Sequence, residues 1–109
     1  MDLPIFSINK QIFNAVVLTQ DRTSEVIDIS ELIGFAVHSI WTGTPAGNII
    51  IQASNDGSNF VDIDTQAAGG AAGQDLVNID RAHYRYVRVF YDFSSSTGTL
   101  TTYLSGKRG

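Results

Sequence analysis

The side chains that could carry out chemistry are few and lie far apart in the sequence. There are two histidines, His38 and His83. His38 sits in the middle of an apolar stretch beside Val37, and His83 precedes Tyr84 in a turn. A Ser-His-Asp set is numerically possible, but no Gly-x-Ser-x-Gly elbow and no His-Glu-x-x-His pattern positions a nucleophile or a base. Cysteine is absent, which removes a disulfide framework, a thiolate zinc site and a thiol nucleophile. The expectation is therefore a chain without catalytic residues, cofactor or metal.

The carboxylates form the richer group. Asp62 and Asp64 alternate with Val61 and Ile63, so a regular strand would project both from one face. With Asn55 and Asp56 in the preceding turn they could gather oxygen ligands for calcium. The spacing matches no defined calcium loop, and a half-buried antiparallel sheet needs outward polar residues of this kind. The segment Ser54-Asn55-Asp56-Gly57-Ser58-Asn59-Phe60 is the most specific local signal. Asn, Asp and Gly tolerate positive φ, and Asn and Asp side chains bond their own backbone. Between Ile49-Ile50-Ile51 and Phe60-Val61 it reads as a tight β-hairpin that fixes strand register without a ligand.

Contact chemistry is more promising than reaction chemistry. Tyr84 to Phe93 is the longest strand-like run. Val87, Val89, Tyr91 and Phe93 share one face with Arg85, and Tyr86, Arg88, Phe90 and Asp92 share the other. Tyr86, Arg88 and Phe90 are the candidates for a subunit contact, since aromatic residues and Arg are favoured at interfaces. Near the start, Leu3-Pro4-Ile5-Phe6-Ser7-Ile8 is apolar, with Pro4 disfavouring a central strand. Residues 1–9 thus read either as an edge strand or as an arm packing on a neighbouring subunit through Leu3, Ile5, Phe6 and Ile8, ahead of a single domain over 10–109.

The elements that must position these groups are short strands. Ile12 to Thr19, Glu25 to Ser30, Phe35 to Thr42, Asn48 to Ser54, Asn59 to Asp64, Asp75 to Ile79, Tyr84 to Phe93 and Gly98 to Leu104 make about eight segments, separated by polar or Gly/Pro breaks. Within them Ile27 and Ile29 share a face, as do Phe35, Val37 and Trp41, which places Trp41 in the core. Ser30-Glu31-Leu32-Ile33-Gly34 is expected to form one helical turn, with Ser30 as cap and Gly34 as stop. Gln66 to Gln74 carries no large side chain and no charge, and is expected to be a flexible exposed loop. Many short strands at roughly 8–12-residue spacing predict an all-β antiparallel two-sheet sandwich of jelly-roll type.

The chain has 109 residues, 7 Lys plus Arg against 11 Asp plus Glu, and a formal net charge of −4. That length suits one domain with its own core. The acidic balance argues against nucleic acid as a partner, because phosphate binding needs clustered cations. No stretch approaches the ~20 apolar residues of a membrane span, and Met1-Asp2-Leu3-Pro4 opens without a basic region and long apolar run. No membrane association is expected, and the chain reads as one made in a cytosol, with no export signal.

The ordered series Gly47-Asn48-Ile49-Ile50-Ile51-Gln52-Ala53-Ser54-Asn55-Asp56-Gly57-Ser58-Asn59-Phe60, a small-residue stretch, Tyr84-Arg85-Tyr86-Val87-Arg88-Val89 and Thr97-Gly98-Thr99-Leu100 resembles small β-sandwich structural proteins of bacteriophages. These are found as capsid decoration (cement) proteins, head fibres or tail accessories, and the resemblance covers residues 35–107. It implies a virion component assembled in the host cytoplasm that binds capsid or other virion proteins and self-associates, by analogy as a trimer. A second likeness is to discoidin-like carbohydrate-binding or adhesion modules. Ser54, Asp56, Gly57 and Phe60 match their hairpin, and Arg85 to Val89 match the strand that follows. This chain lacks their Cys pair and their aromatic loop tips, so the shared positions are framework ones.

Overall fold

Strands dominate because β-branched and aromatic residues recur at alternate positions, with Gly, Pro and Asx clusters between them. The computed structural model describes residues 7–69, 71–79, 84–95 and 97–108. It has nine strands: β1 (Ser7–Val17), β2 (Arg22–Thr23), β3 (Ile27–Asp28), β4 (Leu32–Gly43), β5 (Ala46–Ser54), β6 (Val61–Gly69), β7 (Gly73–Ile79), β8 (Tyr86–Ser95) and β9 (Gly98–Arg108). One sheet runs β1-β9-β4-β7 and the other β2-β8-β5-β6, with β3 also on β8. All pairings are antiparallel. β2 and β3 lie end to end along β8, Arg22 opposite Tyr91 and Ile27 opposite Val87. Taken as one interrupted strand they leave eight, four to a sheet, and the chain crosses between sheets as a jelly roll does.

The interruption has a local cause. Between β2 and β3 the chain carries one residue more than its partner. There Ser24 N–H donates to the Val89 carbonyl at 2.8 Å. The buried Ser24 hydroxyl accepts the Val89 N–H at 2.8 Å, in place of a strand carbonyl, and donates to the Glu25 carbonyl. Other irregularities sit in β1, after Gln11 and after Phe13, and in β6, where the register shifts opposite Ile51 and Gln52.

The core lies between the sheets. β8 supplies Val87, Val89 and Tyr91; β5 supplies Ile49 and Ile51; β4 supplies Phe35, Val37 and Trp41; β9 supplies Leu100 and Leu104. Ile27 and Ile29 are buried while Val26 and Asp28 face out, as the alternation implies. At about 25 cal/mol per Å² of apolar surface removed from water, each fully buried Val, Leu or Ile side chain stabilises the fold by roughly 1.5–3 kcal/mol. Trp41 is buried, and its indole N–H donates to the Ala71 carbonyl at 2.9 Å.

Two expectations are corrected. Ser30 does not cap a helix. Ser30 and Glu31 form a tight turn closed by Leu32 N–H to the Ile29 carbonyl at 2.9 Å. The Asp28 carboxylate accepts from the Ser30 N–H and hydroxyl, and β4 begins at once with Leu32. Nor are Gln66 to Gly69 and Gly73 to Gln74 loop residues. Gln66, Ala67, Ala68 and Gly69 pair with Ile49, Asn48, Gly47 and Ala46, and Gly73 and Gln74 pair with Trp41 and Ile40. Backbone ladder bonds need no large side chain, and Ala68 is fully buried. Gly73 suits its place, because an added Cβ would lie 3.1 Å from the Trp41 ring.

Candidate interaction surfaces

β8 presents its outer face from the middle of the second sheet. Tyr86, Arg88 and Phe90 stand there in sequence, each half-buried, and the strand brings all three together as the alternation requires. Opposite them on β5 lie Ser54, Gln52 and Ile50. The Arg88 guanidinium carbon lies 4.0 Å from the centroid of the Phe60 ring, close enough for a cation–π contact. Its Nε donates to Gln52 Oε1 at 2.8 Å, and Gln52 Nε2 donates to Asp62 Oδ1 at 2.8 Å. One row of side chains thus crosses β8, β5 and β6, and holds the cation in a single orientation. Tyr86 packs beside Gly57, and Arg85 reaches over its ring at 5.4 Å. Residue type alone does not single out Phe60 and Gln52 for this face. A signal for them exists in the sequence, since Phe60 closes the Ser54–Phe60 motif and Gln52 has the same outward parity as Arg88.

The turn between β5 and β6 is closed on itself. The Ser54 hydroxyl accepts the N–H groups of Asp56 and Gly57 and donates to Asp56 Oδ1. Asp56 Oδ1 accepts the N–H groups of Ser58 and Asn59 at 2.8 Å, and Oδ2 accepts from the Asn59 side-chain amide at 2.7 Å. Gly57 takes a φ of 80°, a conformation that glycine adopts freely. Bonds from the Asn59 backbone, the Asn59 amide and Ser58 hold the Asp56 carboxyl well below its ordinary range, because each stabilises the charged form. Asn55 Oδ1 accepts the Arg85 N–H at 3.0 Å and ties the turn to the start of β8.

The carboxylate pair does not share a face. The register shift in β6 sets Asp62 opposite Gln52 and Asp64 opposite Ile51, residues on opposite faces of β5. Asp62 bonds Gln52, whereas Asp64 bonds Gln66 at 3.0 Å. One extra residue in a strand inverts the alternation beyond it, which overturns the same-face placement. Among the described residues no group of three His, Asp or Glu side chains is placed to hold a metal ion.

His38 projects from β4 on the outer face of the first sheet. Its Nε2 donates to Gln74 Oε1 at 2.9 Å, and its ring lies 6.4 Å from that of Tyr103. His83 lies outside the described residues, as do Leu3, Ile5 and Phe6. Ile8 is within β1, half-buried against the core and opposite Gly106. Ser7 and Asn9 pair with Lys107 and Ser105 in the same edge strand. Ile8 also lines an open groove of about 780 Å³ together with Ile33, Phe35, Asn78 and Lys107.

No protein-family model matches the sequence, and no curated protein matches it. Solved structures do share the fold. The exported protein XepA of PBSX matches with a TM-score of 0.73 at 14% identity, over 94% of this chain and 37% of that one. The SPBc2 prophage-derived protein YomS matches with a TM-score of 0.62 at 8% identity, over 97% and 98% of the two chains. Infectious bursal disease virus, Gx strain, matches with a TM-score of 0.58 at 8% identity, over 95% of this chain and 32% of the viral one. The chain is thus about a third of the length of the first and third of these, and of the same length as the second. At such identities the likeness concerns the fold: a β-sandwich shared with prophage-derived proteins and with a virus structure.

Proposed function

We propose that this chain is a non-enzymatic structural component of a bacteriophage-type virion, a capsid decoration protein that binds neighbouring capsid subunits and stabilises the shell. The observation that carries the reading is the match of almost the whole chain to prophage-derived and viral structures. The surface chemistry supports it. The Ser54 hydroxyl and the Asp56 carboxylate are satisfied within their own turn, and His38 is bonded to an amide rather than to a carboxylate.

The binding face is the outer face of β8. Arg88 is clamped between Phe60 and Gln52, so docking it against a partner immobilises little that is still free, and preorganised groups bind at lower entropic cost. Tyr86 and Phe90 flank it and supply apolar area. A contact of standard size takes ~800 Å² from each partner. Repeated over a shell, individually weak contacts hold by multivalency.

The test is to add the purified chain to undecorated shells of the phage whose genome carries the gene. Saturable co-sedimentation and a higher shell-disassembly temperature are expected. Absence of binding, or calcium-dependent binding to immobilised glycan in its place, overturns the reading.

A further inference from the structure

The outer face of the β1-β9-β4-β7 sheet differs from the rest of the molecule in its charge. β4 turns Phe35, Val37, Ser39 and Trp41 inward, so its remaining alternate residues face out, and the register carries this parity to the neighbouring strands. Among the described residues no carboxylate projects from this face, although the chain holds 11. Asp75 lies opposite buried Ser39 and faces the other way. Lys10 likewise has inward parity, opposite Leu104, and reaches Glu25 at 3.2 Å. Only Lys107, near the end of β9, brings a described charged side chain to this face.

A neutral belt crosses all four strands instead. Gln74 on β7 bonds His38 on β4, whose ring lies beside Tyr103 on β9, whose hydroxyl accepts from Gln11 Nε2 on β1 at 3.3 Å. Next to the belt stand the exposed side chains Leu76, at 67% of full exposure, and Ile40, at 36%. With strands ~4.8 Å apart and ~3.3 Å per residue, the face spans roughly 35 by 17 Å, on the order of 600 Å² in projection. That is comparable with what one partner gives to a standard interface.

We infer that this face is where a second copy of the chain docks, through Leu76, Ile40 and the Gln74–His38–Tyr103–Gln11 belt. Two chains of net charge −4 repel each other through most of their surfaces, and like charges brought face to face cost several kcal/mol. A surface cleared of carboxylates is the one that lets them meet without that cost. A flat sheet face with neutral hydrogen-bonding groups and apolar side chains also complements itself under a two-fold rotation. Such a rotation sets the two Lys107 side chains toward opposite ends. The inference rests on the reading of the chain as a repeated particle component. It is nevertheless tested on the purified chain alone, so its failure leaves shell binding by the β8 face to be judged separately.

The experiment is sedimentation equilibrium of the wild type, Leu76→Glu and Val61→Glu. Val61 is 64% exposed, on β6 of the other sheet, and serves as the control. The wild type is expected to associate below roughly 100 µM. Leu76→Glu should weaken association about tenfold or more, as loss of a central contact does, while Val61→Glu leaves it unchanged. Association should not weaken between about 0.05 and 0.5 M salt, since this face makes no charge pair for salt to screen, and screening only relieves the repulsion between the two net charges. A dimer that Leu76→Glu returns to monomer supports the inference. A wild type that stays monomeric or forms a trimer, which a two-fold pairing of one face cannot build, equal effects of the two substitutions, or dissociation by salt overturns it.

Discussion

The backbone N–H of Ala15 donates to the Thr101 hydroxyl at 3.0 Å, and at that point of β1 Ala15 holds a φ of 49°. Ala15 lies in the second irregularity of β1, between Phe13 and Val16. Left-handed backbone costs an L-residue roughly 1–2 kcal/mol, while a glycine there loses about 0.5–1 kcal/mol in unfolded-state entropy. The backbone strain outweighs the entropy, so Ala15→Gly is expected to raise stability by ~0.5 kcal/mol, or a few degrees in Tm. Thr101→Val should lower it by about 1 kcal/mol. Thermal denaturation of the two single variants and the double variant reads both effects, and non-additivity is expected because the residues touch.

Tyr91 gives a second test. It is fully buried on β8, and its hydroxyl has no hydrogen-bond partner among the described residues. Burial first, and the neighbouring Asp92 charge second, push its pKa above the ordinary value of 10.0. The raised folded pKa means that the group leaves stability intact below pH 10 and subtracts from it as pH rises from there through the folded value. Tyr91→Phe is therefore expected to match or exceed wild-type stability at pH 7, by up to ~1 kcal/mol, and to lose less of it above pH 10. Denaturant titrations at pH 7 and pH 11 check this.

Gly47 packs against the same residue. A Cβ at Gly47 would lie 2.5 Å from the Asp92 carbonyl oxygen and 2.6 Å from the Tyr91 hydroxyl. Gly47→Ala should cost ~3 kcal/mol by overpacking. Most of the cost should persist in the Tyr91→Phe background, because the backbone carbonyl remains. Chemical denaturation of the two variants decides it.

Asp56 should make the β5–β6 turn sensitive to acid. Its folded pKa lies below the ordinary carboxylate value of 3.8. Its stabilising contribution is therefore present above that value and is lost as pH falls toward the folded one. Hydrogen exchange of the Ser58 and Asn59 amides is expected to accelerate as the carboxyl protonates, after correction for the intrinsic pH dependence of exchange. The Asp56→Ala variant should show the same loss of protection at neutral pH.

The face proposed to bind the shell has its own variant series. Arg88→Ala is expected to weaken shell binding about 10- to 100-fold, within the range of interface hot spots, with little change in Tm because the side chain is only half-buried. Phe60→Ala, which removes the ring under Arg88, should weaken it in the same direction but less. Co-sedimentation with shells measures both.

Much of the sandwich could be read from alternation. The inward runs of β4 and β8, the core place of Trp41 and the hairpin at Asp56-Gly57 follow from residue type and spacing. What escaped depends on single insertions or on the backbone. The extra residue in β6 that separates Asp62 from Asp64 leaves no trace in composition. The pairing of Gln66 to Gly69 is made by main-chain groups that any residue but Pro carries. The apparent helical turn at Ser30 lost to the Asp28 carboxylate, which captured the Ser30 N–H and drew β4 in directly behind it. For the proposed contact face, residue type pointed to Tyr86, Arg88 and Phe90, which share the outer face of β8. The clamp around Arg88 needed the register that sets Gln52 opposite it.

The irregular strands have a consequence for crowding. Each sheet ends in two outer strands. β1 is kinked twice, β2 and β3 run for two residues each, β6 is offset by one residue, and β7 turns Asp75 toward the interior. None of the four offers a straight, uncharged ribbon on which another chain could extend the hydrogen-bond ladder. On the proposed particle surface, such edges would let crowded chains meet face to face without zippering edge to edge into fibrils.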